Sequence, residues 1–270
     1  MPDCRTEEHD IDLSVLFISF NRSDLLEISF RSLRERADLC GLRVEFVVSD
    51  DASQEPHAVR VRVLPFDIHV SESVNKGLGH NCNKGLRAAR GAYILQIQDD
   101  CEYVGTPAAV LQAVQILRED EEIGIVQLTR QTPNVPHVVR HLGDGTRYVV
   151  FTNDGVAKRR PSGSRPYSDQ PHLKRREFCD AIGPYREGVP MTVMELDYQQ
   201  RVACQNRWRV ACTDRSTDFT HIGAARSYNP GVLRAKRREQ LERYPIVGPL
   251  SRAMRLQARR IRNWVAGVDA

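Results

Sequence analysis

Two short apolar runs that each stop at a pair of aspartates constrain this chain more than any other feature. Arg43 to Ser49 is a strand of β-branched and aromatic residues ending at Asp50-Asp51, and Ala92 to Gln98 is another ending at Asp99-Asp100. An earlier run, Asp12 to Phe20, has the same character. It is followed by Asn21-Arg-Ser-Asp24, capping residues ahead of an amphipathic helix through Leu25, Leu26, Ser29 and Leu33. Further strands are expected within Val61 to Val70, interrupted by Pro65, and at Ile123 to Leu128; helices are expected over Asn81 to Arg90 and Thr106 to Arg118. Strands alternating with helices imply βαβ units, hence an α/β fold with a mostly parallel central sheet flanked by helices. Such sheets bind ligands beyond the carboxyl ends of their strands, where both acid pairs fall. Asp also favours turns and caps, which accounts for any single pair. Two pairs on sheet strands point instead to carboxylates that hydrogen-bond a base or ribose, or hold a divalent cation through hard oxygen ligands.

The second half is less regular. His141 to Arg176 mixes Gly, Pro, Ser, Asp and Asn with Lys158-Arg159-Arg160 and Lys174-Arg175-Arg176, and reads as a hairpin plus a mobile loop. Order resumes at Phe178 to Gly183, followed by a helix near Val193 to Gln205, a strand at Trp208 to Ala211 and a turn leading to His221. From Gly231 to Ala270 there are ten Lys/Arg against three Asp/Glu, a net +7 that leaves −3 for the rest of a chain whose total is +4. That tail is predicted to be a basic helical extension, with Leu241, Leu250, Met254, Ile261 and Trp264 giving an intermittent apolar face.

Composition excludes several classes. With 270 residues, 41% hydrophobic and 27% charged, the chain is no disordered polymer. Its seven cysteines include no Cys-x-x-Cys pair, which argues against zinc ribbons and disulfide scaffolds and for a reducing cytosol. The run Leu13 to Phe20 is too short to cross a bilayer, so a cytoplasmic location is expected. High arginine usage suggests a bacterial source. Gly77-Leu-Gly-His-Asn-Cys82 begins like a dinucleotide fingerprint but has Cys at the third glycine position and follows a later strand. Gly79 to Gly85 has its Lys before the Gly and no Ser/Thr after, so it is no P-loop.

The order of four segments resembles the GT-A fold glycosyltransferases of family 2, inverting enzymes that use nucleotide-sugar donors. Leu13-Ser-Val-Leu-Phe-Ile-Ser-Phe-Asn-Arg22 is similar to that family's opening strand and P-x-Y-N-R turn, and Val47-Val-Ser-Asp-Asp-Ala-Ser53 to its V-D-D-G-S segment. Asn75 to Gly85 matches N-x-G-x-x-x-A-R-N-x-G, and Ala88 to Asp100 resembles A-x-G-E-Y-I-x-x-L-D-x-D-D. More loosely, Met194-Glu-Leu-Asp-Tyr-Gln-Gln-Arg201 resembles the E-D-x-D-x-x-x-R helix, and Thr220-His-Ile-Gly223 the late H-x-G turn.

The resemblance implies a GT-A domain over residues 1–230, with a donor-binding half at 12–130, an acceptor half at 131–230 containing a mobile loop at 143–176, and a separate extension at 231–270. It implies a divalent metal, Mn²⁺ or Mg²⁺, held by Asp100 and His221, the imidazole suiting Mn²⁺ better. Asp99 would face the ribose or the metal's waters, and Gln98 stands where the motif has its first Asp. Asp51 would pair with the base of a UDP, dTDP or GDP sugar, while Ile18, Phe20 and Arg22 line the nucleoside pocket; Asn75, Lys76, Gly79 and Asn83 complete the donor-binding set. Glu195 takes the place of the family's catalytic Asp as the base that deprotonates an acceptor hydroxyl. His80 would either touch the donor or cap a helix, and the loop cations at 158–160 and 174–176 would either order over the diphosphate or stay solvated.

Two rival readings remain. The basic tail suits a non-catalytic protein bound to a nucleotide or an anionic surface, with peripheral membrane contact, although it lacks the clustered aromatics that nucleic acid would call for. A sugar nucleotidyltransferase would share the fold but carries a Gly-rich loop after its first strand, where this chain has Phe20-Asn-Arg-Ser-Asp24.

Overall fold

Strand β1, Leu13–Ser19, is the centre from which the sheet is built, because its side chains alternate between two apolar faces. Leu13, Val15 and Phe17 enter one core, while Leu16 and Ile18 enter the other. The structure is a computed structural model that describes residues 10–129, 136–152, 167–213 and 218–223. The chain divides into two compact units, residues 1–222 and 223–270. The predicted tail helix, and the loop cations Lys158, Arg159 and Arg160, lie outside the described residues.

On either side of β1 run β2 (Val44–Asp50) and β4 (Tyr93–Gln98), both parallel to it, and β3 (Ile68–Ser71) extends the row beyond β2. With β5 (Cys101–Tyr103), β6 (Ile123–Gln127), β7 (His137–His141), β8 (Arg147–Phe151), β9 (His172–Arg175), β10 (Arg209–Thr213) and β11 (Phe219–His221), there are two sheets. The large one has the order β3-β2-β1-β4-β9-β6-β10-β8-β7, and β11 pairs with β5 in a separate ribbon. Only β8 and β9 run against the direction of the others in the large sheet, which is therefore mostly parallel.

Helices cover both faces. Leu26, Phe30 and Leu33 of α1 (Ser23–Arg36) join Val110, Val114 and Leu117 of α4 (Ala109–Glu119) on the Leu13 face. α3 (Leu78–Ala88), α5 (Arg176–Ile182) and α6 (Met191–Cys204) contribute Cys82, Phe178, Met194 and Tyr198 to the other. The expected strand at Val61 to Val70 is corrected: α2 (His57–Val63) takes its first part, burying Val61 alone of its residues, and β3 begins after Pro65. The loop expected at 143–176 is corrected at two places among the described residues. Residues 147–151 are β8, and His172–Arg175 is β9, an internal strand between β4 and β6.

Two local features fix where α3 sits. Gly77, at φ 89°, turns the chain into the helix in a conformation that glycine adopts without strain. Gly85 lies so close to β1 that a Cβ there would stand 2.6 Å from Leu16 Cδ1 and 3.0 Å from Ser49 Cβ. The loop between α5 and α6 is then held against α3. Asn83 donates to the Tyr185 carbonyl (2.9 Å) and to Glu187 Oε1 (2.7 Å), and accepts from Tyr185 N (2.8 Å). His80 stands between two carboxylates, with Nδ1 2.8 Å from Glu187 and Nε2 3.0 Å from Glu72. Both ring nitrogens therefore act as donors, the arrangement of an imidazolium. Hydrogen bonds to Glu72 and then Glu187 raise His80 above its ordinary 6.5, and the same contact with His80 holds Glu72 down to about 2.

Gly85→Ala is expected to lose about 1–2 kcal/mol in denaturant unfolding, the overpacking cost exceeding the helix-propensity gain. The His80 latch gives a pH signature. Its raised value means that its stabilisation is complete below 6.5 and disappears as pH rises through the folded value, while the lowered carboxylates contribute above their ordinary 4.5 and lose effect in acid. The difference in melting temperature between wild type and His80→Asn should be widest between these limits and shrink above neutrality.

Candidate functional site

The carboxyl ends of β1 and β4 lie side by side, and the residues following them form one polar cluster. Asp99 N donates to the Ile18 carbonyl at 3.0 Å, which continues the β1–β4 register past the last strand residue. The chain then leaves β1 through Asn21 at φ 52°, with Asn21 N bonded to Ser53 Oγ (2.7 Å) and Asn21 Oδ1 accepting from Gln54 N (2.7 Å). This clasp presents Arg22 to the acid pair. Its Nη2 is 2.5 Å from Asp99 Oδ1 and its Nη1 is 2.5 Å from Asp100 Oδ2, and Phe20 N donates to Asp99 Oδ2 at 3.1 Å.

Both carboxylates are buried, at 0% and 1% exposure, so their charges interact in a medium that screens little. Burial pushes Asp99 up to about 7 against the pull of Arg22. Burial would raise Asp100 as well, but the hydrogen bond from His221 and the charge of Arg22 hold it below the ordinary carboxylate range. His221 arrives on β11, which pairs with β5 directly after the acid pair, so that His221 lies opposite Cys101. Its Nε2 is 3.2 Å from Asp100 Oδ2, and that contact raises its own value. An octahedral divalent ion with bonds of about 2.1 Å separates adjacent ligands by roughly 3 Å, so these two atoms have the spacing of neighbouring ligands. Among the described residues no group of three His, Cys, Asp or Glu side chains suits a metal. Asp100 and His221, the two ligands expected from the sequence, therefore stand together as a contacting pair.

The other predicted donor residues are engaged within the protein. Ile18 is 3% exposed and belongs to the core. Asp51 accepts Lys76 N (3.0 Å) and Gly77 N (2.8 Å), fixing the loop ahead of α3. Asn75 Oδ1 accepts Gly77 N (3.1 Å), and Lys76 Nζ pairs with Glu72 (3.1 Å). A Cβ on Gly79 would collide with the Arg186 carbonyl, and Asn83 clamps the same loop. Asp50 is a turn carboxylate, bonded to Ser53 N (2.8 Å) and Oγ (2.5 Å). A small cavity at the ends of β2 and β3, lined by Val48, Asp50, Ser53, His69, Ser71 and Glu72 among others, touches none of the predicted donor residues.

Glu195 stands on α6 about one turn from the helix start and is half-buried. Its Oε1 accepts Asp169 N (3.3 Å) and the Gln199 amide (3.4 Å), and the Asp169 carbonyl in turn accepts Gln98 Nε2 (3.4 Å). Gln98, where the motif would have its first Asp, thereby ties the acid-pair strand to the segment beneath Glu195. Asp197 pairs with Arg201 at 2.8 Å, and Arg201 also bonds the carbonyls of Ile182 (2.5 Å), Gly183 (3.3 Å) and Pro184 (2.8 Å), a structural role.

The expectation that Lys174, Arg175 and Arg176 belong to a mobile loop, ordered over the diphosphate or solvated, is corrected. Lys174 is fully buried, with Nζ bonded to Gln96 Oε1 (2.8 Å) and Tyr185 OH (3.2 Å). Arg175 donates to the carbonyls of Ile123 and Asp120, and Arg176 to those of Gly91 and Ala89. Sequence reasoning missed the cluster around Lys174, namely Gln96, Tyr185, Tyr167 and Asp169. Its one visible signal is two tyrosines, Tyr167 and Tyr185, on either side of Lys174 in the sequence.

Comparison with known proteins accords with this architecture. The Glycosyl transferase family 2 profile matches residues 14–179. A mannosyltransferase, PcManGT from Pyrobaculum calidifontis, solved in complex with GDP-Man and Mn²⁺, superposes with a TM-score of 0.58 at 19% identity over 91% of this chain and 64% of its own. S. aureus TarS 1-349 in complex with UDP gives a TM-score of 0.56 at 16% identity over 77% of this chain and 60% of its own. The same protein in complex with UDP-GlcNAc gives 0.55 at 15% identity. This chain therefore spans about three-fifths of the first structures it resembles. No curated protein sequence matches it. A profile match over more than half of the chain, on a mostly parallel sheet with acids at the carboxyl ends of its central strands, makes this protein a member of glycosyl transferase family 2.

Proposed function

We propose that the protein transfers a sugar from a nucleoside-diphosphate sugar to an acceptor hydroxyl with inversion, assisted by Mn²⁺ or Mg²⁺. The observation that carries the reading is the meeting of Asp99, Asp100, Arg22 and His221 at the switch between β1 and β4, with Glu195 of α6 joined to the end of β4 through Asp169 and Gln98. The similar structures solved with GDP-Man and Mn²⁺, with UDP and with UDP-GlcNAc support a donor of that class.

Asp100 and His221 would hold the metal, which when bound neutralises charge on the departing diphosphate. Arg22 is the protein's own cation there and favours the same build-up of negative charge. Phe20 offers an aromatic surface for the nucleoside, and Asp51 holds the Asn75–Gly77 loop ahead of α3. Glu195 is the base: one oxygen is held by Asp169 N and Gln199, and the other has no hydrogen bond among the described residues. It takes the acceptor proton as the hydroxyl attacks the anomeric carbon opposite the leaving diphosphate, a single displacement that inverts configuration.

In a thermal-shift screen of UDP, GDP, dTDP, CDP and ADP, one diphosphate at about a hundred times its Kd should raise Tm by about 5–10 °C with Mn²⁺. The shift should vanish with EDTA or in Asp100→Ala. No response to any nucleotide would remove the donor site. Glu195→Gln should lower turnover about 10²–10⁴-fold while donor binding, read by calorimetry, stays within a few-fold of wild type. Near-normal turnover in that variant would take the base role from Glu195.

A further inference from the structure

Beneath Glu195 lies a row of buried polar groups that the proposed reaction does not use. It starts at the Lys174 ammonium, which donates to the oxygen of Tyr185 (3.2 Å) and faces the rings of Tyr185 at 5.1 Å and Tyr198 at 5.9 Å. The Tyr185 and Tyr167 hydroxyls are 2.8 Å apart, and Tyr167 donates to Asp169 Oδ1. Lys174 donates a hydrogen bond to the Tyr185 oxygen, and because the one hydroxyl hydrogen of Tyr167 goes to the carboxylate, Tyr185 is the donor to Tyr167. The row thus has one direction, from a cation to an anion, and each bond polarises the next in a low dielectric. Its members are 8% exposed or less, and the Tyr185 and Tyr198 rings stack at 4.2 Å with an interplanar angle of 17°.

The anionic end is the residue whose main chain meets Glu195. Asp169 N grips Glu195 Oε1, and the Asp169 carbonyl receives Gln98 from the strand that leads into Asp99 and Asp100. Asp169 Oδ2 is buried with no partner among the described residues. A carboxylate left half-satisfied in a core is costly unless something else gains from its position.

We infer that Asp169 is a positioning residue for Glu195. The row Lys174–Tyr185–Tyr167–Asp169 anchors the Asp169 peptide so that its N–H holds Oε1 and leaves Oε2 free to receive the acceptor proton. This inference rests on Glu195 being the base, and the experiment separates the two. Tyr167→Phe cuts the row while keeping the ring, and Asp169→Asn keeps the size and removes the charge. The assay follows release of nucleoside diphosphate, with water as acceptor, from the nucleotide sugar that most stabilises the protein.

Each variant should lower kcat about tenfold with the donor KM within twofold of wild type. In a Glu195→Gln background Tyr167→Phe should cause no further loss, because residues acting through one group are not additive. Crystal structures of wild type and Tyr167→Phe give a readout independent of the donor, with Glu195 Oε1 leaving Asp169 N in the variant. If Glu195→Gln is inactive while Tyr167→Phe turns over within twofold of wild type and keeps the Oε1 contact, the positioning role is overturned and the base survives. A loss that multiplies with Glu195→Gln, or a fall in kcat that only tracks a lower Tm, also overturns it. If Glu195→Gln is itself active, the base reading fails and this inference with it, while nucleotide binding still reports on the donor site.

Discussion

The site depends on one guanidinium. Two adjacent carboxylates without solvent contact would repel strongly and favour protonation, and Arg22 spans both with a separate nitrogen for each. Because Arg22 sits in the turn after β1 and the acids follow β4, the ion pair also closes the end of the sheet at the switch point. The backbone had to bend for this. Asn21 takes a left-handed conformation, compensated by the clasp with Ser53 and Gln54, and Ala52 opposite does the same at φ 61°. Such strain is retained where a turn must aim a side chain.

The donor half was legible because its physics is local. β1, β2 and β4 are apolar runs that stop at turn-forming acids, and a parallel sheet collects their carboxyl ends at one edge without further instruction. Asn21, Arg22, Asp99 and Asp100 came together as their places in the chain implied. The meaning of the acid pairs differed, however. Asp50 satisfies a turn, Asp51 braces a loop, and Asp99 and Asp100 alone form the charged cluster.

The second half was less legible because its partners are distant in sequence. His172-Leu-Lys-Arg175 has the composition of a surface loop, yet it is an internal strand. Lys174 is tolerated there by a glutamine from β4 and a tyrosine from beyond α5, neither of which can be guessed from neighbours in the chain. Arg175 and Arg176 likewise spend their charge on main-chain carbonyls of other elements. Glu195 was found through a motif, whereas its supports were not, since Asp169 reaches it through a peptide N–H that any residue possesses.

The loop from Gly183 to Pro190 is tied at both ends to different helices. Arg201 of α6 takes the carbonyls that open it, and Asn83 and His80 of α3 take Tyr185 and Glu187 further along. Its opening cannot be a private event: releasing the loop also costs α3 its first-turn contacts and α6 the anchor near its last turn. Segments joined in this way by shared hydrogen bonds tend to open as one cooperative unit. Motion of the 183–190 loop is therefore coupled to both α3 and α6, so that a change in one helix is felt at the other through a segment belonging to neither.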